Sequence, residues 1–181
     1  MKLTLLVAMA SLALAASPAS AGEALCFQNQ NYLVIGQERL DDVGMEFIIR
    51  PPAKGKIACV YEEKADDVLI GDPADPLWFE GLAGQYLVLT RSTGPDGNVV
   101  IYDLAAPATP MIDLAADDEI TVADDRVTYW ARTETGTANN CPEYAEFTAS
   151  GLGAVVAEEQ VVDVATGQAT PTGRARCSAT Q

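Results

Sequence analysis

Turn-forming residues recur at short intervals along the chain, and this spacing limits what the chain can fold into. The segments between these turns are short and rich in β-branched and aromatic side chains, which is typical of β-strands. A long helix has little room in such a pattern. We predict strands at residues 32–35, 46–50, 57–61, 68–71, 86–91, 99–103, 120–123, 127–132, 153–158, 160–164 and 174–177.

Two hairpins are the clearest local predictions. Residues 84–91 and 99–104 flank a segment that contains Pro95, Asp96 and Gly97, and these residue types favour a tight turn between paired strands. A second hairpin is predicted over residues 153–177, with its turn at 165–167. Strands that follow one another through short turns form antiparallel sheets.

Helices have few places to form. Residues 37–43 are predicted to make two helical turns and residues 142–147 one or two, with Asn140 as a cap. The predicted fold is therefore all-β: an antiparallel meander that forms a β-sandwich or a partly closed barrel of about ten strands, with at most one or two short helices. No linker is long or polar enough to divide residues 22–181, so we predict a single domain.

The N-terminus has the pattern of a secretory signal peptide. Lys2 precedes an apolar stretch over residues 3–16, and small residues lead to a predicted cleavage site after Ala21. The apolar stretch is shorter than the ~20 residues that a membrane-spanning helix needs. Residues 1–21 are therefore predicted to be a signal, and the mature chain to be a periplasmic or secreted protein without a membrane span.

Four cysteines in an exported chain predict two disulfides. Three pairings are open, and we favour Cys26 with Cys59 and Cys141 with Cys177 because each bond then closes one half of the chain. No C-x-x-C pair is present, so the predicted role of the cysteines is structural.

The chain contains no histidine. This absence excludes a Ser-His-Asp triad, a Cys-His pair and a His-ligated zinc. The phosphate-loop and dinucleotide-binding motifs are also missing, so we predict no cofactor, and an enzyme is the less favoured class.

Acidic residues outnumber basic ones. Residues 22–181 contain all 26 acidic residues and ten of the eleven basic ones, a net charge of −16. A chain with this charge repels nucleic acid, so we predict no nucleic-acid partner and expect a basic protein or a cationic ligand instead. Arg91 and Arg132 lie at strand ends near acidic turns and are predicted to form ion pairs.

One candidate binding patch lies after a proline-rich loop. Asp72 and Asp75 precede Trp78, and an exposed aromatic ring beside carboxylates suits a cationic or sugar ligand. The alternative interpretation is that Trp78 belongs to the core. We predict Asp72, Asp75 and Trp78 as binding residues, with neither catalytic nor metal-ligating residues assigned.

Three functions remain open at this point. The favoured one is an exported, monomeric binding protein whose acidic surface meets a basic protein or cationic ligand. The second is a hydrolase of polysaccharide or peptidoglycan that uses two carboxylates facing each other across an aromatic-lined groove. The third is a structural accessory module of the cell envelope.

Overall fold

The computed structural model describes residues 22–94 and 96–181, and about half of them lie in antiparallel strands. The segment interpreted as a signal peptide, residues 1–21, lies outside the described residues. The elements are β1 (Leu25–Gln28), β2 (Leu33–Glu38), β3 (Met45–Arg50), β4 (Val68–Ile70), β5 (Leu77–Ala83), β6 (Tyr86–Arg91), β7 (Gly97–Asp103), β8 (Ile112–Ala116), β9 (Thr121–Val122), β10 (Arg126–Thr135), α1 (Tyr144–Ala149), β11 (Gly153–Asp163) and β12 (Ala169–Thr180).

The strands form two sheets. The smaller sheet has the order β1-β2-β3-β4, and the larger has the order β12-β11-β10-β8-β7-β6-β5, with β9 paired to β10. All the strand pairs are antiparallel. The predicted all-β, antiparallel fold is confirmed, and so are the hairpins β6–β7 and β11–β12.

The larger sheet curls until β5 contacts β9, which brings it close to a closed barrel. Two glycines permit the approach. A Cβ atom on Gly81 would lie 2.6 Å from Val122, and one on Gly84, which has a φ of 56°, would lie 2.5 Å from Val164. The concave side encloses an apolar cluster: Ala83, Tyr86, Val88, Val99, Ile101, Ile112, Ala116, Val127, Tyr129, Ala131 and Val162.

The smaller sheet packs against the convex side of β5, β6 and β7. Side chains alternate between the two faces of a strand, so Leu87 and Leu89 of β6 face the smaller sheet while Val88 faces the barrel interior. Phe27 of β1 stacks on Phe79 of β5, with ring centroids 3.6 Å apart. The smaller sheet and part of the larger, curled sheet therefore pack face to face, as the two layers of a β-sandwich do.

A segment without strand pairing, residues 51–67, covers the outer face of the smaller sheet. Ile57 and Tyr61 pack there on Leu33, Ile35 and Ile48. The predicted strand at 57–61 is therefore wrong. The apolar side chains of this segment pack on the face of the smaller sheet, and its backbone forms no strand pairing.

The predicted helix at 37–43 is also wrong. Strand β2 continues to Glu38, and the chain then turns into β3 with the Arg39 amide donating to the Gly44 carbonyl at 3.0 Å. The turn ends at Gly44, whose φ of 102° suits glycine. The helix predicted near 142–147 is confirmed as α1, but Asn140 does not cap it and accepts instead from the Thr137 amide.

Both predicted disulfides are confirmed, Cys26–Cys59 and Cys141–Cys177. No free cysteine occurs among the described residues. The two bonds are compatible with an oxidising compartment outside the cytoplasm. Among residues 22–94 and 96–181, no helix has the length and apolarity that a membrane crossing needs.

Because several carboxylates form ion pairs, the stability of this fold should decrease at acid pH. The Arg50 guanidinium lowers the pKa of Asp67 to about 2, and the pKa values of Asp96, Asp113 and Asp117 are also below their usual range. A carboxylate whose pKa is lower in the folded state stabilises the fold above its unfolded pKa and loses that contribution as the pH falls through the folded pKa.

We therefore expect the thermal midpoint to stay nearly constant from pH 7 to 5 and to fall between roughly pH 4 and 2. Circular-dichroism melts across this range measure the effect, and Asp67→Asn should flatten part of the decline. A midpoint that remains constant down to pH 2 would show that these carboxylates do not stabilise the folded state.

Candidate functional site

A pocket opens at one end of the curled sheet, and we call it the mouth pocket. Its volume is about 280 Å³. The pocket lies where β5, β6 and β7 meet the chain after β8, and ligand sites are common in the mouths of β-barrels. Its lining consists of Trp78, Glu80, Thr90, Ser92, Gly94, Gly97, Asn98, Ala116, Asp117 and Asp118.

Strand register brings these distant parts of the chain together. Trp78 of β5 pairs with Thr90 of β6, and Gly97 of β7 pairs with Ala116 of β8. Thr90 is also the cross-strand partner of Val99, which belongs to the interior cluster. The pocket therefore sits directly beyond the apolar interior of the curled sheet.

Trp78 forms one wall of the mouth pocket. Its indole N–H donates to the Ser92 carbonyl at 3.0 Å, and its ring is partly buried against the cluster between the sheets. Strand pairing and this hydrogen bond hold the ring in one orientation, so the wall is already formed.

Glu80 contributes a carboxylate to the same pocket. The Thr90 hydroxyl donates to it at 3.0 Å. Partial desolvation raises the pKa of Glu80, the hydrogen bond from Thr90 opposes that rise, and the negative charge of Asp118 adds to it. Glu80 is nevertheless an exposed residue.

Asp118 is the second carboxylate of the pocket. It is exposed, and no described residue donates a side-chain hydrogen bond to it or forms an ion pair with it. Its charge is close enough to influence Glu80. Two negative groups therefore share the pocket without an internal cation between them.

Asp117 differs from its neighbour because its charge is already satisfied. It is 5% exposed, and it accepts from Arg132 Nε at 2.9 Å, Arg176 Nη2 at 2.6 Å and Ser178 Oγ at 2.6 Å. Desolvation favours a higher pKa for Asp117, but these hydrogen bonds outweigh it and hold the pKa below its usual range. Asp117 therefore supports the pocket wall, and its oxygen atoms are already occupied by hydrogen bonds within the protein, which leaves little capacity to bind a ligand.

The basic residues are either paired or confined to one region. Ion pairs hold six of the seven arginines within the described residues: Arg50, Arg91, Arg126, Arg132, Arg174 and Arg176. Arg91 and Arg132 each form ion pairs with aspartates, so the prediction of ion pairs for these two residues is confirmed. All three lysines of residues 22–181, Lys54, Lys56 and Lys64, lie in the segment that covers the smaller sheet. Among the described residues that line the mouth pocket, there is neither a lysine nor an arginine.

The predicted residues Asp72, Asp75 and Trp78 occupy different places. Trp78 lines the mouth pocket. Asp75 forms an ion pair with Arg91, and exposed Asp72 accepts from the Ala74 amide at 3.0 Å within the turn. The structure thus places only Trp78 in this pocket, and the binding role of all three residues stays a prediction.

Glu80 and Asp118 are not among the binding residues predicted from the sequence. The available signals were weak: Glu80 precedes a glycine in an aromatic segment, and Asp118 lies in an acidic run. Their proximity follows from strand order, which the residues do not reveal locally.

One further group has the composition of a metal site. Cys141, Glu143 and Cys177 lie close together, but the two sulfur atoms are bonded to each other. This group therefore contains a structural disulfide and offers no thiolate ligands. In the mouth pocket, Glu80 and Asp118 are the groups available to attract a cation.

Comparison with known proteins finds no matching protein-family model, no similar curated protein and no similar solved structure.

Proposed function

We propose that the protein is an exported binding protein, periplasmic or secreted, whose mouth pocket receives the ammonium or guanidinium group of a basic protein or cationic ligand. The observation that carries the proposal is the pairing of the Trp78 wall with two carboxylates, Glu80 and Asp118, that have no internal cation. The other residues of the lining support this chemistry.

Both kinds of pocket group attract cations. The face of a tryptophan ring attracts an ammonium or guanidinium group, and carboxylates form charge-assisted hydrogen bonds with it. The volume of about 280 Å³ lies just below the range of about 300–1,000 Å³ that is typical of pockets for drug-sized ligands. It suits the end of a lysine or arginine side chain, or a small amine.

The distribution of charge supports the approach of such a ligand. The net charge of residues 22–181 is −16, and the three lysines of this range lie in the segment over the smaller sheet. A strongly acidic surface accelerates encounter with a cationic partner, and salt weakens that effect.

We expect the double variant Glu80→Gln/Asp118→Asn to bind a tetralysine peptide at least about tenfold more weakly than wild type, because two charge-assisted contacts are lost. Isothermal titration calorimetry at about 20 mM and 300 mM salt measures the affinity, which should fall as salt rises.

The matched control is Glu134→Gln/Glu158→Gln, which removes the same charge from exposed strand positions outside the pocket. The control should stay within about threefold of wild type. If both double variants weaken tetralysine binding equally, or if the affinity does not change with salt concentration, the mouth pocket contains no specific site.

One observation also favours the carboxylate-pair hydrolase as a second candidate. A glutamate with a raised pKa beside a second carboxylate, in a concave and aromatic-lined pocket, is the arrangement that glycoside hydrolysis uses. Release of reducing ends from peptidoglycan by wild type, abolished in Glu80→Gln, would support hydrolysis. Cation binding without any turnover would favour the binding protein.

The structural envelope module stays a prediction from the sequence. Retention of the protein in a membrane or cell-wall fraction, without a soluble ligand, would support it. No feature of the mouth pocket favours this role over binding.

A further inference from the structure

A second cavity lies at the end of the curled sheet away from the mouth pocket, where the smaller sheet meets it. We call it the amide cleft. Its volume is about 660 Å³, within the usual range for ligand sites. It is lined by Gln28, Asn29, Gln30, Asn31, Pro52, Leu82, Gly84 and Asp124.

Two amide side chains fix the walls of this cleft. Asn29 Nδ2 donates to the Gly84 carbonyl at 2.7 Å, so the β1–β2 turn is attached to the β5–β6 turn. Gln28 exchanges two hydrogen bonds with the Ala53 backbone, at 2.8 and 3.3 Å. The cleft is therefore held open by contacts between separate parts of the chain, and it does not depend on a ligand.

Three other polar side chains in the cleft remain available. Gln30, Asn31 and Asp124 are exposed, and within residues 22–94 and 96–181 none of their side chains has a hydrogen bond or ion-pair partner. The two amides each offer a donor and an acceptor, while Asp124 offers only acceptors when ionised. Leu82 and Pro52 supply apolar surface beside them.

This combination selects a class of ligand. An anion would need a basic group, and the part of the lining that the structure describes has neither lysine nor arginine. A hard metal ion such as calcium prefers several carboxylates, and the lining has one. Hydroxyl groups both donate and accept, as amides do, and the ring carbons of a sugar can pack on Leu82 and Pro52. We propose that the amide cleft binds an uncharged, hydroxyl-rich ligand, namely an oligosaccharide.

A neighbouring cavity indicates that the ligand is elongated. This cavity has a volume of about 540 Å³ and shares Gln30, Asn31 and Pro52 with the amide cleft. It continues past Tyr32 and Gln85. Gln30 and Asn31 thus line both cavities, so they can contact consecutive units of one oligosaccharide chain.

The test uses ¹⁵N-labelled protein and two uncharged probes, cellotetraose and tetra-N-acetylchitotetraose, each added up to about 10 mM. We expect at least one probe to shift the side-chain amide signals of Gln30 and Asn31 in NMR spectra. The variant Gln30→Ala/Asn31→Ala should bind that probe about tenfold more weakly, which corresponds to two lost hydrogen bonds.

The control is Asn139→Ala, an exposed amide outside the cleft, and it should bind like wild type. The absence of shifts with both probes would overturn the proposal. Shifts confined to other residues, or an affinity unchanged in the double variant, would overturn it too. Tetralysine should leave the Gln30 and Asn31 signals in place, so this test does not depend on the mouth pocket.

Discussion

Replacing Asp117 by alanine should lower the free energy of unfolding by about 2–3 kcal/mol, because Arg132 and Arg176 each lose one carboxylate partner. Among the described residues, they keep only Asp96 and Glu119, respectively. Arg132 and Arg176 both bind this carboxylate, and their side chains are 12% and 30% exposed. Neither arginine can recover full hydration while the strands remain in place.

The position of Asp117 explains the size of this effect. Arg132 belongs to β10 and Arg176 to β12, so one carboxylate after β8 joins three parts of the larger sheet. The Arg176 and Arg174 guanidinium groups also lie 4.3 and 5.3 Å from the centroid of the Trp130 ring. Loss of Asp117 therefore also weakens the cation–π contact between Arg176 and Trp130.

Urea denaturation monitored by circular dichroism measures the change, and Asp118→Ala is the matched control. The control removes the same group from the next residue, which is exposed, so its effect should be within about 0.5 kcal/mol. Equal effects of the two variants would mean that the hydrogen bonds to Asp117 do not stabilise the fold.

Removing the Cys26–Cys59 disulfide should cost about 4 kcal/mol in the chain-entropy model, because the bond closes a loop with a sequence separation of 33. The structure adds a local consequence. This bond holds the segment 51–67 over Leu33, Ile35 and Ile48, so its loss should expose that face first.

Hydrogen exchange and urea denaturation of Cys26→Ser/Cys59→Ser test both parts. We expect faster exchange in residues 53–61 and in β2, and little change in β11 and β12. The control Cys141→Ser/Cys177→Ser should show the reverse pattern with a similar loss of stability, since its sequence separation is 36. Identical exchange patterns in the two variants would contradict the local role of each bond.

The sequence predicts the elements that local chemistry controls. The β6–β7 and β11–β12 hairpins follow from turn residues between alternating segments, and both disulfides follow from balanced cysteine spacing. The errors are tertiary in origin. Residues 57–61 have the composition of a strand, but their apolar side chains cover a sheet face.

The sequence did not predict β1, β5 or β8. Strand β1 is only four residues long, and the other two contain local signals against strand structure. Strand β5 includes Gly81 beside a bulge, and β8 includes two alanines, so neither segment is strongly β-forming alone. Long-range pairing supplies what the local sequence lacks. The same pairing unites Glu80 and Asp118 in the mouth pocket, which is why only Trp78 of the predicted residues lies there.

The most direct test of the account is an NMR titration of ¹⁵N-labelled protein with tetralysine at low salt. We expect the indole signal of Trp78 and the backbone amide signals of Glu80 and Asp118 to shift together and to saturate. The double variant Glu80→Gln/Asp118→Asn should remove these shifts. Shifts spread over the acidic surface, with the Trp78 signal unchanged, would contradict a binding site in the mouth pocket.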